Sequence, residues 1–199
     1  MSQSDPLAPS YLDADLGTFL DSVAERTPAP GGGAVAAISL SLAAGLVSMA
    51  ARFTAPGGDP DPPVAVQAER LRLRAAELAD IDAAAYGSVI GAYARSPAVD
   101  RESRRDRIRS ALQGATEIPL EMTEIGAQII VLAASLVEHG NPNLRGDART
   151  ALLLAQASVR SAAALVGINV EAGSLDHDLV RRAEHNVTAA AEAVASTPA

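Results

Sequence analysis

One carboxylate stands out because it interrupts an apolar stripe. The stripe follows helical spacing, and an aspartate takes one of its positions: Val64, Ala68, Leu71, Ala75, Leu78, Asp82, Ala85 and Val89. A lone carboxylate there must be paired, protonated or at the wall of a wet cavity, because burying an unpaired charge is costly. Perturbed carboxylates cluster at functional sites, so Asp82 is a candidate for proton transfer. A structural ion pair with an arginine is the alternative.

A glycine run precedes the most apolar segment of the chain. Pro30 is followed by Gly31, Gly32 and Gly33, directly before an uncharged stretch at residues 33–51. Free backbone amides and the positive end of a helix dipole at this point could hold an anion or a developing negative charge. The alternative is a tight turn that lets another helix cross close by, and a glycine run alone does not decide between them.

Two further polar residues lie far apart on one predicted helix. Asp147 falls in its first turn, where the helix dipole favours an acidic residue even without a functional role. Asn169 follows 22 positions later. It shares the face of Asp147 but lies about 33 Å away along a straight helix. We therefore expect that one protomer does not place both residues in one small-molecule site.

Composition excludes several kinds of chemistry. The 199-residue chain has 16 basic residues, all arginine, against 24 acidic ones, for a net charge of -8, so we expect no nucleic-acid partner. The absence of lysine excludes Schiff-base catalysis, and the absence of cysteine excludes thiolate nucleophiles and suits a cytoplasmic protein. His177 and His185 are eight positions apart, whereas metal ligands on a helix are three or four apart, so we expect no metal site. We also expect no permanently bound cofactor.

Helices must position these residues. The chain is 48% hydrophobic but only 3% aromatic, which favours a core of small and aliphatic side chains between closely packed helices. Periodicity and chain breakers predict one all-α domain over residues 1–199, with residues 1–10 as a flexible tail. The six predicted helices, which include long antiparallel ones, span residues 12–26, 33–54, 64–95, 101–138, 145–171 and 176–196.

Three of these helices carry specific expectations. The first presents one apolar face, formed by Leu16, Phe19, Leu20 and Val23. The second is apolar on nearly every side, which indicates a buried helix at the centre of the bundle rather than a membrane span. Pro119 is expected to kink the fourth or to split it after Ile118.

Several segments together resemble one known family. The sequence TPAPGGGAVAA at residues 27–37, followed by a helix of small residues, is similar to the opening signature of the cyclodeaminase/cyclohydrolase family. That family includes the C-terminal domain of formiminotransferase-cyclodeaminase and stand-alone methenyltetrahydrofolate cyclohydrolases. Residues 80–86 and 92–97 resemble the family's acidic-aromatic motif, and residues 118–120 resemble its mid-helix proline motif. Residues 140–147 and 168–170 resemble its late asparagine motifs. Gly146 replaces a usual serine, and Leu165 replaces a usual asparagine.

The resemblance implies a fold, a substrate class and a set of site residues. The fold would be an all-α two-fold homodimer, and the substrate a one-carbon adduct of tetrahydrofolate. Asp82 and Asp147 would then be catalytic. The substrate-binding residues would be Pro30, Gly31, Gly32, Gly33, Asn141, Arg145 and Asn169.

Two reactions and one non-catalytic role fit this family. A cyclodeaminase closes 5-formiminotetrahydrofolate to 5,10-methenyltetrahydrofolate and releases ammonia, and this is the first hypothesis. A cyclohydrolase adds water to the methenyl bridge and opens it to 10-formyltetrahydrofolate. Both need proton transfer more than a strong nucleophile, which suits a chain without cysteine or lysine. The third hypothesis is a folate-binding or interaction module without turnover. None of the three implies a membrane partner.

Overall fold

The structure, a computed structural model, describes residues 10–58, 60–94 and 100–198. Within these residues there are six α-helices and no strand, so the predicted all-α fold is confirmed. The helices are α1 (Leu16–Ala24), α2 (Gly32–Thr54), α3 (Pro63–Tyr93), α4 (Arg101–His139), α5 (Arg145–Gly173) and α6 (Asp178–Ser196). The predicted tail lies outside the described residues except for Ser10, whose hydroxyl donates a hydrogen bond to Asp80.

The helix α2 lies at the centre of the bundle, as its composition predicts. It packs against α3, α4 and α5. Most of its buried side chains are alanines, and Leu40 and Val47 are its largest fully buried ones. Small side chains let neighbouring helices approach closely, so an alanine-rich helix suits this central position.

Long helices that follow one another in the chain run in opposite directions, and the bundle therefore has two distinct ends. Asp82, late in α3, lies against Gly33 at the start of α2. Asn141, just after α4, instead hydrogen-bonds Thr54 and Phe53 at the end of α2. We call the end that contains residues 31–33 the glycine end and the end that contains residues 140–147 the distal end. The two are about 33 Å apart along α2.

The first predicted helix is shorter and more exposed than expected. Residues Tyr11–Asp13 form a 3-10 turn, and α1 begins only at Leu16, because the Asp15 side chain accepts a hydrogen bond from the Thr18 N–H and caps the helix there. No residue of α1 is buried, and Leu16 and Leu20 are 72% and 58% exposed. The amphipathic pattern thus identifies a helix correctly but does not bury its apolar face within the protomer.

Pro119 was expected to kink the fourth helix or to split it after Ile118, and the split does not occur. The helix α4 continues through Pro119 as one element, and Pro119 itself is buried. A proline inside a helix removes one backbone hydrogen bond, and the acceptor that it leaves without a donor is the carbonyl of Ala115. In this bundle another helix supplies a donor to that carbonyl, as described below.

In the part of the chain that the structure describes, three segments are long and apolar enough to cross a membrane by length and hydropathy alone: Gly32–Thr54, Arg101–His139 and Pro142–Gly173. In each of the first two segments, 56% of the most apolar 18-residue stretch is buried in the bundle, and in the third segment 39% is buried. The packing of the helices accounts for much of the apolar character of α2 and α4. It leaves more of the apolar surface of α5 uncovered.

Candidate active site

Asp82 is placed at the glycine end by the apolar stripe of α3. Leu78, one turn before it, is fully buried, and Asp82 itself is half-buried at the point where the stripe reaches a cavity. Burial raises the pKa of the Asp82 carboxyl above its ordinary value of 3.8, and a hydrogen bond from the backbone N–H of Ala34 partly opposes this. Of the three environments considered for this carboxylate, the structure shows the wall of a cavity.

The glycine run lies so close to Asp82 that position 33 must be glycine. A side-chain carbon built on Gly33 would overlap the Asp82 carboxylate, whereas one built on Gly32 would meet no atom within 4 Å. Neither residue has a positive φ, so the need for glycine at position 33 comes from this close approach and not from backbone strain. The first turn of α2 therefore holds a carboxylate of its own chain, with the Ala34 amide directed at it.

The cavity at this junction has a volume of about 280 Å³. Its wall combines the residues before α2 with the facing sides of α3, α4 and α5, and Asp82 is the one charged residue among those described as lining it. The lining residues are Pro28, Ala29, Gly31, Gly32, Gly33, Asp82, Ala83, Tyr86, Val89, Ala115, Pro119, Leu165, Ile168 and Asn169. Such a wall, apolar with one acid, favours a ligand whose reacting part is cationic or donates hydrogen bonds.

Asn169 enters this cavity from α5. Its amide nitrogen Nδ2 donates a hydrogen bond of 3.2 Å to the backbone carbonyl of Ala115 on α4. The sequence placed Asn169 among the substrate-binding residues, and the structure brings it together with Asp82 and Gly31, Gly32 and Gly33. Pro30 is buried next to the glycines and is not among the lining residues.

The other three predicted site residues lie at the distal end. Asn141 uses both ends of its amide within the protomer, because Nδ2 donates to the Phe53 carbonyl at 3.2 Å and Oδ1 accepts from the Asn143 N–H at 3.0 Å. Arg145 is exposed, and Asp147 is half-buried in the first turn of α5. One protomer therefore does not bring Asn141, Arg145 and Asp147 to the cavity.

The segment before α1 is bound to α3 through Asp80, two residues before Asp82. The Asp80 carboxylate accepts a hydrogen bond from the Tyr11 N–H at 2.8 Å and another from the Ser10 hydroxyl. Burial raises the pKa of the Tyr11 phenol, and the negative charges of Asp80 and Asp82 raise it further. Asp80 and Asp82 thus have separate roles, since one ties the N-terminal segment to α3 and the other faces α2 and the cavity.

Comparison with known proteins identifies the family. A model of the formiminotransferase-cyclodeaminase family matches residues 15–189, which is most of the chain and includes every predicted site residue. The chain belongs to the formiminotransferase-cyclodeaminase family. The assignment made from the sequence motifs is therefore confirmed.

Individual relatives within this family carry two kinds of name. A methenyltetrahydrofolate cyclohydrolase of Methylorubrum extorquens is 37% identical over 162 residues, which cover 77% of this chain and 78% of that protein. A formimidoyltransferase-cyclodeaminase of Rattus norvegicus is 29% identical over 81% of this chain, but the match covers only 31% of the rat protein. The chain therefore spans about a third of the rat relative.

A solved structure agrees with the fold. Formiminotetrahydrofolate cyclodeaminase from Thermotoga maritima superposes with a TM-score of 0.77 and 27% sequence identity, and the match covers 94% of this chain and 92% of that one. Two of the family positions at which this chain departs, Leu165 and Gly146, lie in different surroundings. Leu165 lines the cavity, whereas a side chain at Gly146 would meet no atom within 4 Å, so the serine usual in the family would fit there.

Sequence reasoning missed several lining residues of the cavity. Tyr86 follows Asp82 by four positions, and residues so spaced share a helix face, so periodicity was a usable signal for it. Val89 belongs to the same stripe and was assigned only to the core. Ala115 has no distinctive side chain and contributes its backbone carbonyl, so the usable signal for it is its place four residues before Pro119.

Proposed function

We propose that this chain is an enzyme acting on a one-carbon adduct of tetrahydrofolate, and that its reaction is that of a methenyltetrahydrofolate cyclohydrolase. The observation that carries the proposal is the half-buried Asp82 carboxyl, of raised pKa, in a cavity whose described wall holds no other charge. A carboxylate without a competing cation suits the positively charged methenyl bridge. A raised pKa brings the group closer to neutral pH, where proton transfer is most effective.

Cyclohydrolase thus replaces cyclodeaminase, the first hypothesis from the sequence, as the preferred reaction. The relative of Methylorubrum extorquens, with 37% identity over 78% of its own length, favours cyclohydrolase. Cyclodeaminase remains the second candidate, supported by the whole-chain similarity to the Thermotoga maritima structure.

The proposed mechanism gives Asp82 two proton transfers. As a base it takes a proton from water while the water oxygen bonds to the methenyl carbon, which forms a neutral tetrahedral adduct. As an acid it then delivers that proton to N5 while the bond between N5 and the carbon breaks. The hydroxyl proton leaves to solvent as the formyl group forms on N10, so the sum is water addition with release of one proton. In the cyclodeaminase alternative, the same carboxyl would take the N10 proton and protonate the departing ammonia.

The cavity accommodates the reacting part of such a substrate and leaves the rest outside. Its 280 Å³ is at the low end for small-molecule pockets. Tyr86 supplies an aromatic face against which a planar ring would pack. Gly32 and Leu165 also line a second groove of about 280 Å³ between α2 and α5.

We further propose a two-fold homodimer built on the outer faces of α2 and α5. These faces expose large apolar side chains, namely Val35, Leu42, Phe53, Leu153 and Ile168. The second groove lies on the same side and is lined by small or uncharged residues, among them Ala36, Ser39, Ala157 and Ser161. Apolar surface rimming a groove of small residues is typical of a helical interface.

The symmetry of α5 connects this dimer to the site. Asp147 and Asn169 lie equally far, 11 positions, on either side of Ser158, which lines the second groove. A two-fold axis near Ser158 would run the two copies of α5 antiparallel, so that the distal end of one protomer approaches the glycine end of the other. Arg145 and Asp147 of the partner subunit would then complete the cavity around Asp82 and Asn169.

Purified protein given each substrate separately tests the proposed reaction. With 5,10-methenyltetrahydrofolate, we expect methenyl absorbance to fall faster than in buffer or with the Asp82→Asn variant, because methenyl adducts also hydrolyse slowly alone. With 5-formiminotetrahydrofolate, an increase in methenyl absorbance with release of ammonia would instead establish the cyclodeaminase. Folate binding without either change would establish a non-catalytic folate-binding module.

A further inference from the structure

The inference begins from the backbone of α4 beside the cavity. Within a regular α-helix the carbonyl of residue 115 accepts a hydrogen bond from the N–H of residue 119. Residue 119 is proline and has no N–H, so that carbonyl lacks its helical donor. Both Ala115 and Pro119 line the cavity, so the exposed acceptor lies where a ligand would bind.

Asn169 supplies the missing donor from α5. Its Nδ2 is 3.2 Å from the Ala115 carbonyl oxygen. A carbonyl oxygen only accepts hydrogen bonds, so the amide must present its nitrogen to Ala115 and cannot turn over without losing the bond. The side-chain oxygen Oδ1 is thereby held on the opposite side of the amide, and no donor among the described residues is bonded to it.

We propose that Pro119 is a positioning residue that, through the Ala115 carbonyl, fixes the Asn169 amide so that Oδ1 accepts a hydrogen bond from a substrate N–H. This rests on the proposed function. A tetrahydropteridine carries ring N–H and amino donors, which match an acceptor of fixed orientation. Together with the Asp82 carboxylate, Oδ1 gives the cavity two hydrogen-bond acceptors. A ligand ring whose edge carries N–H donors is therefore favoured over a ring whose edge carries carbonyl groups.

The test is a cycle of variants read out as KM and kcat. Pro119→Ala restores an N–H at residue 119 that competes with Asn169 for the Ala115 carbonyl, so the amide loses its fixed orientation. We expect KM to increase about threefold to tenfold, the worth of one neutral hydrogen bond, with kcat within about twofold. Asn169→Ala should increase KM at least as much. The double variant should match Asn169→Ala alone, because Pro119 acts only through Asn169.

A matched control separates this effect from general helix packing. Asn186 on α6 also reaches across to α4, where its Nδ2 donates to the Thr123 hydroxyl at 2.9 Å, but it does not line the cavity. Asn186→Ala should leave KM unchanged. Circular dichroism of all variants checks the fold, and Pro119→Ala should retain full helicity because it removes a helix-breaking residue.

The outcomes separate this inference from the proposed reaction. If the wild type is active, an unchanged KM in Pro119→Ala would overturn the role of Pro119. The same conclusion would follow if the increases in KM of Pro119→Ala and Asn169→Ala multiply in the double variant. A wild type that turns over neither folate overturns the proposed function and, with it, the substrate N–H. The coupling itself is then read from the side-chain amide protons of Asn169 by NMR. They should exchange slowly in the wild type and faster in Pro119→Ala, and equal rates would contradict the coupling as well.

Discussion

The two ends of α5 carry equally conspicuous polar residues, yet only one end forms a site within the protomer. At the glycine end, Asn169 meets Asp82, the glycine turn and an apolar cavity. At the distal end, Asp147 and the exposed Arg145 follow Asn141, whose amide is engaged by backbone groups of its own protomer. Helical spacing places residues on one face but does not bring them together, so the distal residues either serve a second chain or are structural.

The largest effect should come from removing the carboxyl at the glycine end. Asp82→Asn keeps the shape and still accepts a hydrogen bond from Ala34, but it cannot exchange a proton. We expect turnover to fall by about two to four orders of magnitude while the protein remains folded. Steady-state kinetics and circular dichroism measure both. Asp80→Asn is the matched control, since Asp80 binds the N-terminal segment, and it should change turnover far less. Wild-type turnover in Asp82→Asn would exclude the proton-transfer role.

Mixing two inactive variants tests whether the distal end serves the partner's cavity. Asp147→Ala should be inactive by itself if each cavity draws that residue from the other subunit. Unfolded together and refolded with Asp82→Asn, it should recover about a quarter of wild-type activity, because half of the dimers are mixed and each has one intact site. If Asp147 acts within its own protomer, no mixed site is intact and no activity returns. Full activity of Asp147→Ala alone would show that the distal end is not catalytic.

The two glycines of the turn should differ in their effect on stability. Gly33→Ala forces a methyl group into the Asp82 carboxylate, and we expect a loss of about 1–3 kcal/mol in the free energy of unfolding together with a large loss of turnover. Gly32→Ala enters open space and should leave stability unchanged or slightly higher. Urea denaturation compares the two. Equal destabilisation by both would mean that the turn, and not the contact with Asp82, requires glycine.

The smallest expected effect is a pH dependence of stability. The Asp82 pKa is higher in the folded chain than its ordinary 3.8, so between these values the folded state binds the proton more tightly than the unfolded state. The stability contributed by the protonated group is present below pH 3.8 and is lost as pH increases through the folded pKa. Relative to the wild type, Asp82→Asn should therefore gain stability as pH increases across this range and then level off. Denaturation of both proteins at several pH values measures the difference, and a constant difference would contradict the raised pKa.

The fold was predictable from the sequence because its signals are local. Periodicity and the breakers around Pro30, Pro60 and Pro142 gave the helices, and the uncharged run at residues 33–51 gave the central one. The interruption of the stripe by Asp82 singled out this residue, and the structure shows that it lines a cavity. What local patterns do not specify is the surface against which a face packs. The apolar face of α1 was predicted correctly, and it is exposed in the protomer.

The parts of the site that escaped prediction are contacts between distant segments. The amide of Asn169 and the carbonyl freed by Pro119 are individually visible in the sequence, but their meeting depends on how α4 and α5 pack. The same is true of Asn141, whose resemblance to a family motif suggested a ligand contact and whose amide binds the backbone of Phe53. Motifs identify residues that matter, and only the packing separates a substrate contact from a structural one.

The overlap between Gly33 and Asp82 has a consequence for the sequences of relatives. The carboxylate occupies the volume that a side chain at position 33 would need, so the two positions cannot vary independently. Wherever a relative keeps a carboxylate at the counterpart of Asp82, we expect glycine at the counterpart of Gly33. A relative with a residue larger than glycine at the counterpart of Gly33 should carry a shorter or neutral residue at the counterpart of Asp82. Such a relative would lack the proton-transfer group. This pair of letters thus offers a way to sort catalysts from non-catalytic descendants in an alignment before any protein is purified.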